Sequence, residues 1–135
     1  MVIIILHNVM LVLSRKLIAQ TLTHAIREKP DMDSFIEYSY ENAAITAGIR
    51  SPEVTLVEIP ERPGHPEREI LKICAKIRSS SPGSKIVLLC PEDSGGSISA
   101  VVTAKQAGEI DDFIFYDASL VYLTAKLESL CSEQN

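Results

Sequence analysis

A doubly wound α/β fold, a parallel sheet with helices on both faces, is predicted by three observations. Short apolar runs alternate with amphipathic segments along the chain, five times over. The runs are close to continuously apolar, the pattern of strands buried on both sides. The length of 135 residues suits one domain with a single sizeable core, so residues 1–135 are read as one domain.

The first strand is predicted over residues 2–6, which are rich in β-branched side chains. Leu11, Ser14, Ile18, Leu22 and Ala25 then fall at helical spacing, giving a first helix over residues 11–28 that Pro30 ends. Residues 35–39 form a short second strand, and residues 41–49 a short helix whose alanines allow close packing. The third strand covers residues 54–59. The segment Pro60-Glu61-Arg62-Pro63-Gly64-His65-Pro66 after it is too rich in proline and glycine to be anything but a loop. Ile70, Ile73, Cys74 and Ile77 line one face of the third helix.

After the turn at residues 79–84 comes the fourth strand, Lys85-Ile86-Val87-Leu88-Leu89-Cys90. Residues 91–96 lead into a fourth helix over residues 98–107, closed by Gly108. Phe113-Ile114-Phe115-Tyr116 makes the fifth strand, and the last helix begins at Ala118-Ser119. There Leu120, Leu123, Leu127 and Leu130 form one apolar line, each worth roughly 1.5–3 kcal/mol if fully buried.

Composition narrows the function classes. Apolar residues make up 46% of the chain and charged residues 23%, ordinary for a globular protein and far from the disordered class. A net charge of -5 offers no basic stripe to neutralise a phosphate backbone, so nucleic-acid binding is not expected and protein partners are. The apolar opening breaks at His7-Asn8 without a preceding basic region or small-residue cleavage site. No stretch approaches the ~20 apolar residues of a membrane span, so a cytoplasmic protein without membrane contact is expected. Cys74, Cys90 and Cys131 are odd in number and widely spaced, and are read as reduced thiols with Cys74 in the core. His24 is read as a helix-surface residue and His65 as a loop residue.

In an open α/β sheet the loops at the carboxyl ends of the strands line the site, and on this reading they start with His7-Asn8, Glu58, Cys90 and Tyr116-Asp117. At these positions the chain resembles the receiver domain of bacterial two-component response regulators over nearly its whole length. Lys85–Cys90 is similar to that family's fourth strand, and Ala104-Lys105-Gln106-Ala107-Gly108 to its alanine-glycine helix end. Phe113-Ile114-Phe115-Tyr116-Asp117-Ala118-Ser119 resembles the fifth-strand motif that normally carries lysine, aspartate, alanine and serine. That motif is typical of receivers preceding a helix-turn-helix domain. Leu56-Val57-Glu58-Ile59 with Pro63-Gly64 resembles the phosphoacceptor strand and its loop. The resemblance implies a flavodoxin-like sheet of order 2-1-3-4-5, with two helices on one face and three on the other.

Carried over position by position, the family's chemistry is degenerate here. The acidic pair falls on His7 and Asn8, leaving little hard-oxygen charge for magnesium. The nucleophilic aspartate falls on Glu58, one methylene too long for an in-line geometry that tolerates little error. The switch hydroxyl falls on Cys90, a poor donor. The lysine falls on Tyr116, which removes the cation that would stabilise a transferring phosphoryl group. Only the aromatic switch position, Phe113, keeps its type. Glu58 is then either a partly exposed carboxylate bonded to loop N–H groups or a stand-in for a phosphorylated aspartate.

The resemblance therefore implies a pseudo-receiver, a regulatory domain without enzymatic activity, cofactor or metal. It would act on a protein partner or effector domain, and could dimerise through its fourth helix, fifth strand and fifth helix. Val101, Lys105, Phe115, Val121 and Tyr122 are the expected contact residues. Two alternatives stay open, an atypical receiver that is still phosphorylated or ligand-regulated and a small flavodoxin-like cofactor-binding protein or enzyme. Against the second, no loop carries a GxGxxG or P-loop pattern, and Gly95-Gly96 is only a weak anion-nest signal. A metal set of His7, Glu58 and Cys90, or a Cys90 nucleophile with His7 as base, would require those residues to meet on one rim.

Overall fold

The structure, a computed structural model, describes residues 6–92 and 97–132. The chain runs β1 (His7–Val12), α1 (Lys16–Arg27), β2 (Met32–Glu37), a 3-10 turn (Tyr40–Asn42), α2 (Ala43–Arg50), β3 (Val54–Glu58), α3 (Pro66–Ser80), β4 (Lys85–Cys90), α4 (Ser97–Gln106), β5 (Asp112–Phe115) and α5 (Leu120–Ser132). Every strand pairing is parallel and the sheet order is β2-β1-β3-β4-β5, as the resemblance implies.

The two-residue period of the strands divides the core. Val9, Leu11, Leu56, Val87, Leu89 and Ile114 point to α1 and α5, where Ala19, Leu22, Ile26, Leu123, Leu127 and Leu130 receive them. Met10, Val12, Val57, Ile86 and Leu88 point the other way, onto Ala43 and Ala47 of α2, Ile70, Cys74 and Ile77 of α3, and Val101 and Ala104 of α4. Two helices cover one face and three the other, the predicted division.

The largest correction concerns the first unit. Of the predicted strand over residues 2–6, only Leu6 lies among the described residues, and the sheet strand is His7–Val12. Leu11 and Val12, assigned to a helix by spacing, belong to that strand; Val9 to Leu13 are all at 0% exposure. The register decides this. β1 pairs over its full length with β2 and from Val9 to Val12 with β3, so this run forms the second strand from the sheet's edge. Helix α1 follows only at Lys16.

Elsewhere the corrections are small. Strand β2 starts at Met32, and β5 spans Asp112–Phe115, leaving Tyr116 just past its end. Gly108 sits at φ +78 two residues past the end of α4, a left-handed conformation that favours glycine. The Ser119 hydroxyl caps α5 by accepting the Tyr122 N–H at 3.1 Å. The Gly95-Gly96 pair lies outside the described residues.

Candidate functional site

Because α1 starts at Lys16, the loop at the carboxyl end of β1 is Leu13-Ser14-Arg15. His7 and Asn8 sit instead at the amino end of β1, against Met32 and Asp33 at the start of β2. The predicted positions of the acidic pair are corrected accordingly. The set of His7, Glu58 and Cys90 cannot converge, and neither can the pair of His7 and Cys90, because His7 lies at the opposite end of the sheet.

Glu58 closes β3 and is at 0% exposure, so the expectation of a partly exposed carboxylate is overturned. A buried carboxylate needs donors on both oxygens. One oxygen, Oε1, accepts the Ser14 N–H at 2.8 Å, the Ser14 hydroxyl at 3.0 Å and the Arg15 N–H at 3.3 Å. The other, Oε2, accepts the Tyr116 hydroxyl and faces Arg15 Nε at 3.4 Å. The backbone carbonyl of Glu58 accepts the Tyr40 hydroxyl at 2.7 Å. Every polar atom of the Glu58 side chain is engaged, and two loops and the 3-10 turn are drawn onto one residue.

Local sequence explains the arrangement. Helix α1 has no acidic residue in its first turn and no side-chain cap. Glu58 reaches across from β3 and brings negative charge to that helix start, where the macrodipole favours an anion. Arg15 lies with its guanidinium 4.8 Å from the Tyr116 ring centre and reaches Glu61 at 3.3 Å. Burial, reinforced by the Glu58 carboxylate, pushes the Tyr116 phenol above the ordinary tyrosine range, so it remains a donor at neutral pH. Burial likewise raises Tyr40.

Cys90 ends β4 at 2% exposure; burial pushes its thiol up to about 12, and its carbonyl accepts the Tyr116 N–H at 2.9 Å. It is a closed packing residue, without the thiolate character of a nucleophile. Phe113 packs edge-on against Phe115, ring centres 5.8 Å apart, beneath the ammonium of Lys105. Of the expected contact residues, Val101 is at 1% exposure inside the core, so its surface role is corrected. Val121 and Tyr122 are exposed, at 78% and 53%, and Phe115 is half-buried. Lys105 pairs with Asp112 at 3.1 Å, and Lys126 of α5 reaches the same carboxylate at 2.8 Å. One acid thus ties α4, β5 and α5 together.

Sequence reasoning missed Ser14, Arg15 and Tyr40. The signal for the first two was the apolar run Val9 to Leu13 ending in Ser14-Arg15. Nothing local marks Tyr40, which acts through a backbone carbonyl of a distant strand.

No protein-family model matches this chain, and no curated protein does. Solved structures do. A response regulator from Thermotoga maritima superposes with TM-score 0.77 at 16% identity, over 96% of this chain and 100% of that one. A two-component response regulator from Clostridium difficile gives 0.74 at 20% identity, over 95% of this chain and 98% of that one. A protein described as an adenylate cyclase from Rhodopirellula baltica gives 0.77 at 18% identity, over 95% and 89%. Likeness at this level does not fix chemistry, and the neighbours carry more than one described activity. What it establishes is architecture: this chain has the fold of response regulator receiver domains.

Proposed function

We propose that the chain is a single regulatory domain of receiver type that works through protein–protein contacts, without phosphorylation and without catalysis of its own. The observation that carries this reading is the state of Glu58, wholly buried with both carboxylate oxygens engaged by Ser14, Arg15 and Tyr116. A phosphoacceptor needs an oxygen open to in-line attack on a phosphoryl donor, and a metal beside it to neutralise the charge. Here the residues at the carboxyl end of β1 are Ser14 and Arg15, and a guanidinium stands beside the carboxylate. In this reading Glu58 is a permanent tether holding the β1–α1, β3 and β5–α5 junctions in one arrangement.

The partner-facing surface on this reading is α4, β5 and α5, with Lys105, Phe115, Val121 and Tyr122 as contact residues. The Asp112 bonds to Lys105 and Lys126 support a rigid face there. Val121 and Tyr122 supply apolar area beside Leu120, itself 38% exposed. Three free, buried cysteines are consistent with a cytoplasmic protein.

Calorimetric titration with magnesium and beryllofluoride, a phosphoryl mimic, tests the reading, with an ordinary receiver as positive control. The expected result is no saturable heat from this chain while the control titrates. Saturable binding would mean the Glu58 site opens and would overturn the proposal.

A further inference from the structure

At the opposite end of the sheet, three residues far apart in sequence meet. His7 opens β1, Glu53 immediately precedes β3, and Cys131 lies in the last turn of α5, which runs back along the sheet. A ring nitrogen of His7, a carboxylate oxygen of Glu53 and the Cys131 sulfur all lie within 4.8 Å of one another. We propose that these three side chains form a binding site for a zinc-type transition-metal dication.

The donor set is the first support. Imidazole, carboxylate and thiolate are the three groups that bind zinc, with metal–ligand distances of about 2.0–2.3 Å. In a tetrahedral site such ligands stand about 3.3–3.8 Å apart, so a modest side-chain rotation closes this cluster around one ion. Positioning is the second. The His7 backbone N–H is fixed to the Asp31 carbonyl at 2.7 Å, and its Nδ1 lies 2.8 Å from Glu53 Oε2. Placement of the sulfur is the third. Cys131 belongs to the apolar cluster under α1 and α5 and is only 2% exposed. Its sulfur nevertheless faces a carboxylate and an imidazole, an unusual setting for a thiol that only packs.

Charge and access agree with this. The carboxylates of Asp31 and Glu128 also bear on Cys131, so a dication enters an acidic field; Lys29, 3.2 Å from Glu128, offsets part of it. The His7 and Glu53 side chains are 27% and 25% exposed, which leaves a route from solvent. Three protein ligands leave a fourth position for water. As the metal–sulfur bond forms, the thiol proton leaves to solvent, so binding weakens as pH falls.

The test is titration of the full chain with Zn2+ by calorimetry and with Co2+ by absorption spectroscopy. The expected result is one ion per chain and a thiolate-to-cobalt charge-transfer band. Cys131→Ser removes the band, and His7→Gln and Glu53→Gln each weaken binding at least about tenfold. His24→Ala, on the exposed face of α1, leaves binding unchanged. Cys131 is packed, so if its variant fails to fold, the part-exposed His7 and Glu53 variants decide. Absence of one-to-one binding, binding without the thiolate band, or binding indifferent to both His7→Gln and Glu53→Gln overturns the proposal.

Discussion

Replacing Tyr116 by phenylalanine removes one oxygen and leaves the ring, so it isolates the bond on which the Glu58 tether depends. The phenol donates to Oε2 of a carboxylate that is at 0% exposure, so removing the hydroxyl takes a donor from a buried, charged acceptor. Hydrogen bonds to charged groups contribute about 1.5–3 kcal/mol. Arg15 Nε remains 3.4 Å away, on a side chain 43% exposed, and offsets part of the loss. Its stacking on the ring survives the substitution. The expected cost is therefore about 2 kcal/mol, a fall in Tm of about 8 °C for a chain of this size.

Urea unfolding at pH 7 reads the cost directly, and a double-mutant cycle assigns it. In a Glu58→Gln background the same substitution should cost about 1 kcal/mol or less, because the acceptor left is a neutral amide oxygen. Ultraviolet titration adds a second readout. In the parent, Tyr116 stays neutral where ordinary tyrosines ionise, since burial and then the Glu58 carboxylate raise it. Glu58→Gln should lower that value without restoring the ordinary one, because the burial remains. A Tyr116→Phe variant within about 0.5 kcal/mol of the parent would refute the view of Glu58 as a tether held by its donors.

Two further predictions concern pH. The Cys74, Cys90 and Cys131 thiols are each pushed up to about 12 by burial, against an ordinary value of 9.0, so folding favours their neutral forms. The associated stability is complete below pH 9 and is lost as pH rises from there toward 12, at up to about 1.4 kcal/mol per pH unit per thiol; stability flat across that window in urea unfolding would contradict it. Asp112 runs the other way: burial raises its pKa, but hydrogen bonds from Lys126, the Phe113 N–H and Lys105 outweigh that and hold it below 3.8. Asp112→Asn should cost about 1 kcal/mol at pH 7; the difference should vanish as pH falls below 3.8 through the lowered value, whereas an undiminished cost in acid would mean that the ion pairs do not contribute.

The strands flanked by clear punctuation were legible in the sequence. Lys85–Cys90 lies between a Ser-Pro-Gly turn and a proline, and its boundaries agree with the structure to the residue. Gly108 marked the end of α4 because a left-handed residue after a helix favours glycine. The first strand was misread because a strand buried on both faces has no alternation to separate it from a helix face. Val9 to Leu13 carries apolar side chains to both sides of the sheet, while Leu11, Ser14, Ile18 and Leu22 happen to repeat at helical spacing. That single shift moved the expected site residues to His7 and Asn8 and hid Ser14 and Arg15. The cluster of His7, Glu53 and Cys131 was invisible for a different reason: its members are brought together only by the parallel register and by the return of α5 along the sheet.

The departures from the receiver pattern are better understood together than one at a time. A lysine at 116 could not donate the phenolic hydrogen bond that Tyr116 gives to Oε2, and an acidic residue at 14 would set two carboxylates against each other in a dry site. An aspartate at 58 would draw the carboxylate back by about 1.5 Å, one carbon–carbon bond, and so out of reach of the Ser14 N–H that now lies at 2.8 Å. Each of the three residues present suits the other two: the longer acid spans to the β1–α1 turn, the serine meets it with two donors, and the tyrosine closes the second oxygen without adding a charge. Arg15, half in solvent, supplies the compensating cation. On the proposed reading, introducing one residue of the receiver pattern alone should weaken the fold without conferring phosphorylation, because the remaining partners still close the site. A reactive cluster that had merely decayed would leave unsatisfied groups behind, and the Glu58 carboxylate has none.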